Sequence, residues 1–149
     1  MLKTFALAFT LLGVAAAVDF TGTWKLNTAK SKYEGLPMPK EQTATYTPKG
    51  TGWEYMVNGT SATGQPIHSM FTYVADGVEA KTTGFPYWDA IVTKDGKAAK
   101  STVQLKREGK VVGNVTRVLS ADGKMITLDG KVTLPDGKAA TYHAVYDKQ

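Results

Sequence analysis

A chain of 149 residues, 42% hydrophobic and free of cysteine, has the length of one domain with a real core. The absence of cysteine excludes a disulfide framework, a thiolate nucleophile and a cysteine-zinc centre. The formal charge of +5 is mild, and Lys94, Lys97, Lys110, Lys124 and Lys138 are spread through turns, which excludes the concentrated basic stripe of a nucleic-acid surface.

In chain order, residues 1–17 place one cation, Lys3, ahead of an apolar run over 5–14 and end on Ala15-Ala16-Ala17. That layout reads as a cleaved export signal. The other readings are a retained anchor or an ordinary N-terminal helix. The apolar run is shorter than the roughly 20 residues that span a bilayer. Cleavage after Ala17 starts the mature chain at Val18 and leaves residues 18–149 as a single domain. No later stretch is long and apolar enough to cross a membrane, so no stable membrane insertion is expected. Without disulfides, an exported fold rests on packing and sheet hydrogen bonds.

The segment Phe20-Thr21-Gly22-Thr23-Trp24-Lys25-Leu26 puts Phe20, Gly22, Trp24 and Leu26 on one face of a strand and the polar residues on the other. A short turn of helix is expected near residues 28–33, before the Leu36-Pro37-Met38-Pro39 break. Asx-Gly and Glu-Gly pairs then recur at residues 58–59, 76–77, 95–96, 108–109, 122–123 and 136–137. Such pairs supply the positive φ angles of tight hairpins. The strands they bound are expected near 20–27, 41–47, 52–58, 65–75, 77–82, 88–94, 99–107, 111–120, 125–134 and 139–147. Asp129-Gly130 is not counted as a turn, because Ile126, Leu128, Gly130, Val132 and Leu134 alternate straight through it. Gly130 on the apolar face marks a kink or a close approach. The expected fold is all-β: a closed antiparallel up-and-down barrel of about 8–10 strands, since closure removes the long edges an open meander would leave.

The opening G-T-W-K-L (residues 22–26), the aromatic run Gly84-Phe85-Pro86-Tyr87-Trp88, the hairpin Leu119-Ser120-Ala121-Asp122-Gly123-Lys124 and the ending Val145-Tyr146-Asp147-Lys148-Gln149 together resemble small exported bacterial proteins of lipocalin-like type. The first and last strands are also similar to those of the lipocalins and fatty-acid-binding proteins. The resemblance implies a calycin-type barrel holding a small hydrophobic or aromatic ligand, in the bacterial periplasm or secreted, with no cofactor. An alternative on the same fold is an isomerase- or lyase-type enzyme using a buried His or Arg. Fatty-acid-binding proteins clamp a carboxylate with an arginine two residues before the terminal tyrosine. The matching position here is Ala144, and residues 28–40 are too few for their helix-turn-helix lid, both of which argue against a fatty acid. Avidins share the G-T-W opening but wall their pocket with more tryptophans than Trp24, Trp53 and Trp88 provide.

Within that resemblance, Gly22 and Trp24 are expected to plug the closed end of the barrel, with lining the pocket as the other role for Trp24. Arg117 shares the parity of Val115 and Leu119, and either stacks on Trp24 or replaces the missing clamp. Phe85, Tyr87 and Trp88 either close over an apolar ligand at the mouth or pack on the rim. Tyr46, Trp53, Tyr55 and Tyr142 are further candidate ligand contacts. His68, with Met70 on the same parity, is a polar anchor in the pocket or a hydrogen-bonded strand residue. His68 and His143 lack the spacing of a metal site, and no nucleophile elbow is present.

Overall fold

The computed structural model describes residues 18–149, and the expected export signal over 1–17 lies outside the described residues. Eleven strands follow one another: β1 (Gly22–Leu26), β2 (Lys32–Glu34), β3 (Glu41–Lys49), β4 (Gly52–Thr60), β5 (Pro66–Tyr73), β6 (Glu79–Thr83), β7 (Ala90–Lys94), β8 (Lys100–Arg107), β9 (Lys110–Leu119), β10 (Met125–Thr133) and β11 (Ala139–Lys148). From β3 onward each strand pairs with the next, and β1 bonds both β3 and β11, so the wall closes on itself as an antiparallel barrel.

The circuit counts ten strands because β1 and β2 are two pieces of one course along β11. Trp24 to Leu26 pair with the end of β11, and Lys32 to Glu34 pair with its start at Thr141 to His143. The five residues between them bend away and stay tied to β11: the Asn27 N–H donates to the Val145 carbonyl, and the Val145 N–H to Ser31 Oγ. This corrects the expected turn of helix. Residues 28–30 form a plain turn, and the chain then resumes as a strand, where Tyr33 stacks on Tyr142 at 5.6 Å. A second correction concerns Asn58-Gly59, which lies within β4 rather than in a hairpin turn. Gly59 pairs with Gln42, and the turn comes later, where the Ser61 N–H donates to the Gln65 carbonyl.

Elsewhere the wall follows the sequence pattern. Glu108 and Gly109 have φ of 51° and 78°, the pair of positive angles a two-residue hairpin needs, so Arg107 and Lys110 sit directly opposite. β10 runs unbroken through Asp129-Gly130, paired with β11 along its whole length. Its inward residues Ile126, Gly130 and Val132 are buried, while Asp129 and Lys131 are exposed.

The interior divides along the barrel axis. At one end Phe20, Trp24, Leu26, Ala44, Leu119 and Ile126 form a solid core. Trp24 is fully buried, and its indole N–H donates to the Phe20 carbonyl at 2.9 Å, which satisfies the one polar group such a ring brings inside. On the side of the barrel formed by β7 to β10, Ile91, Leu105, Val115 and Val132 make a second cluster. Between these and the far end the interior is not filled.

Candidate ligand cavity

A cavity of about 660 Å³ occupies the end of the barrel opposite Trp24, and a smaller one of about 80 Å³ lies deeper. The larger is walled by Tyr33, Tyr142, Ala144 and Tyr146 on β2 and β11 and by Gln42, Tyr55 and Val57 on β3 and β4. Residues 84–88 face them from the β6–β7 connection, and Leu36, Pro37 and Pro39 border the opening. Proline keeps residues 36–39 out of the sheet ladder, so this part of the wall is a loop instead of a strand. Gly84 holds the aromatic run against β5: the Ser69 hydroxyl donates to its carbonyl at 2.9 Å, and a Cβ there would lie 2.0 Å from the His68 carbonyl oxygen.

Burial governs the titration of the phenols. Tyr33 is pushed up to about 12, and burial raises Tyr142, Tyr55 and Tyr146 as well. All of them are therefore neutral hydrogen-bonding groups at ordinary pH. Tyr146 is already engaged, accepting from Gln42 Nε2 at 3.0 Å.

The deeper cavity reaches Arg117, a buried cation 4% exposed. Its guanidinium lies 3.8 Å from the centre of the Phe20 ring, with Trp53 at 5.3 Å and Tyr46 at 5.7 Å. One terminal N–H donates to the Gly96 carbonyl, while Nε is without a partner among the described residues. No carboxylate pairs with it among the described residues, so the aromatic box supplies the electrostatic compensation. A short relay fixes the backbone it holds. Asp76 Oδ1 accepts from the Gly96 N–H at 2.9 Å and from the Tyr73 hydroxyl at 2.8 Å. The first of these bonds leads in holding the Asp76 carboxyl below its ordinary range. Burial leads in pushing Tyr73 up to about 12.

The expected stacking of Arg117 on Trp24 is corrected. Lys148, directly across from Trp24 on β11, puts its ammonium 5.4 Å over that ring, and Arg117 lies against Phe20 instead. Gly22, with a φ of +116°, starts β1, and a Cβ there would be 3.7 Å from the Lys148 side chain.

Nine of the sequence candidates border one or both cavities, eight of them from inside the barrel and His68 only at the rim. Tyr55, Phe85, Trp88 and Tyr142 border both; Tyr46, Trp53 and Arg117 border the deeper one, and Tyr87 the larger. Trp53 stacks on Tyr73 at 4.1 Å, and Phe85 on Trp88 at 5.2 Å. Two candidates do not face the interior. On β5 the inward parity belongs to Ser69, Phe71 and Tyr73, which turns His68 and Met70 to the outside. His68 borders the rim, but its ring is exposed and shares a hydrogen bond of 2.6 Å with Asn58. Met70 pairs across the outer face with Met56. His143 is also outside, bonded to Asp129 at 2.6 Å. The two histidines and Arg117 therefore do not converge. Sequence reasoning missed Tyr33, Gln42, Phe71, Leu128 and Tyr146. Parity with Tyr46 on β3 and with Tyr142 on β11 would have found Gln42 and Tyr146.

No protein-family model matches the chain, and no curated protein does. Among solved structures, the chain is similar to zebrafish ileal bile acid-binding protein complexed with cholic acid. The identity is 14% and the TM-score 0.53, with 87% of this chain and 98% of that one covered. At that identity the likeness is one of fold, an all-β closed barrel of the fatty-acid-binding-protein type.

Proposed function

We propose that the barrel binds a small hydrophobic or aromatic molecule in its larger cavity, and that it does so outside the cytoplasm after losing residues 1–17. The observation that carries the binding reading is a cavity of about 660 Å³ walled mainly by aromatic and aliphatic side chains with a few polar atoms among them. A void of that size and lining suits a small organic ligand and is costly to keep for packing alone. The zebrafish barrel of the same fold type is complexed with cholic acid, a ring compound, which supports the reading. Export rests on Lys3, the apolar run over 5–14 and the small residues at 15–17.

One preparation tests both halves. The full-length chain is expressed in an export-competent bacterium and recovered from the exported fraction. Its intact mass is expected to start at Val18, and a mass that retains Met1 refutes the export reading. Native mass spectrometry of the same sample, followed by a broad panel of apolar compounds, is expected to show a bound small molecule and a change in tryptophan emission. Trp88 lines the cavity, so an unchanged emission across the panel, with no bound mass, refutes the binding reading.

A further inference from the structure

The larger cavity is notable for what its wall lacks: among the described residues, no Asp, Glu, Lys or Arg lines it. His68, at its rim, turns its exposed ring outward to Asn58. A carboxylate or ammonium entering this space would lose its hydration without meeting an opposite charge, which disfavours a charged guest. The wall does offer neutral donors. Tyr33, Tyr55 and Tyr142, each with a hydroxyl, and Trp88, with an indole N–H, are among its lining residues. None of the four appears in a side-chain hydrogen bond among the described residues. The indole N–H can only donate. Tyr55 is 7% exposed and borders both cavities, so it is the deepest-set of these donors common to the two spaces.

The rings are arranged in two pairs. Tyr33 and Tyr142 stack with 15° between their planes, and Phe85 and Trp88 with 25°. The first pair stands on β2 and β11 and the second on the β6–β7 connection, half the ten-strand circuit away. Two near-parallel ring pairs on opposite walls favour a flat guest.

Resting on the binding reading above, we infer that the ligand is an uncharged, flat ring compound bearing a hydrogen-bond-accepting oxygen, held between the Tyr33–Tyr142 and Phe85–Trp88 pairs with that oxygen toward the Tyr55 hydroxyl. The interior cation does not reverse this. Arg117 faces only the deeper cavity of about 80 Å³, room for two or three waters. Tyr55, Phe85, Trp88, Leu128 and Tyr142 border both spaces and form the layer between them.

Three probes of nearly one shape test it: naphthalene, 2-acetylnaphthalene and 2-naphthoate, titrated by tryptophan emission and calorimetry. The ketone is expected to bind at least tenfold more tightly than the carboxylate, with a ratio constant from pH 6 to pH 9. Tyr55→Phe is expected to weaken the ketone by about fivefold to tenfold and to leave naphthalene unchanged. Tyr142→Phe serves as a second variant, with thermal unfolding as a check on both folds. Naphthalene reports on the cavity itself, so its failure to bind, together with that of the ketone, overturns the binding reading as well. Naphthalene binding with the carboxylate equal to or tighter than the ketone overturns the inference alone. A carboxylate preference that Arg117→Met abolishes would assign recognition to the deeper cavity.

Discussion

Gly130 is the place where one methyl group is expected to matter most. A Cβ built there falls 2.2 Å from Cζ and 2.3 Å from Cε1 of Tyr142. Carbon atoms in good contact stand about 3.5–4.0 Å apart, so Gly130→Ala forces the ring back by roughly 1.5 Å or bows β10 outward. Retreat is restricted, because the Tyr142 ring is also stacked on Tyr33 at 5.6 Å. Overpacking of this kind costs about 1–3 kcal/mol. The reasoning has a built-in control. With Tyr142→Ala already in place the clash disappears, and Gly130→Ala becomes neutral or gains about 0.5–1 kcal/mol from the lower backbone entropy of alanine. Urea denaturation of the four proteins of this cycle, followed by far-ultraviolet circular dichroism, gives the coupling directly. A coupling of about 2 kcal/mol is expected. Gly130→Ala within about 0.5 kcal/mol of the parent, or equally costly in both backgrounds, would show that the ring does not lie on the glycine.

Two other tests probe the rest of the barrel. Trp24→Ala removes a fully buried indole and its bond to the Phe20 carbonyl, and is expected to cost about 3–5 kcal/mol in urea denaturation; a loss below about 1 kcal/mol would contradict its place in the core. Alkaline pH is expected to unfold the protein, because Tyr33 and Tyr73 titrate near 12 in the folded state against a reference of 10.0. A raised folded pKa means that their contribution is whole below pH 10 and is lost as pH climbs toward 12. Phenolate absorbance should therefore rise together with the loss of circular dichroism, and full ionisation in a still-folded barrel would contradict their burial.

The wall of the barrel was readable because its signals are local. Alternation along β10 gives its inward face, and it carries the reading through Asp129-Gly130 despite the turn-like dipeptide. Glu108-Gly109 signalled its hairpin correctly, whereas Asn58-Gly59 did not. Gly59 instead answers to a close approach, since a Cβ there would lie 2.2 Å from the Glu41 carbonyl oxygen. What stayed illegible depends on distant partners. β2 exists because Lys32 to Glu34 find β11, more than a hundred residues away, and the bond from Asn27 Nδ2 to Asp147 spans 120 positions. The exchange of cations, Lys148 over Trp24 and Arg117 over Phe20, is likewise fixed by barrel closure, which no local pattern encodes. On β5 either parity offers candidates for the pocket, and only the pairing with β4 decides that Phe71, rather than Met70, turns inward.

The pairing of β1 with β11 has a consequence for the order of events when the chain is made. Trp24 meets Lys148, and the Gln149 N–H donates to the Thr23 carbonyl, so the seam of the barrel joins residues almost the whole described length apart. A partly synthesised chain has the hairpins but cannot close the ring until it has been made as far as Lys148. Closure is thus a long-range step of the kind that slows folding and leaves strand edges exposed meanwhile. In a protein threaded unfolded across a membrane, that delay would work in its favour.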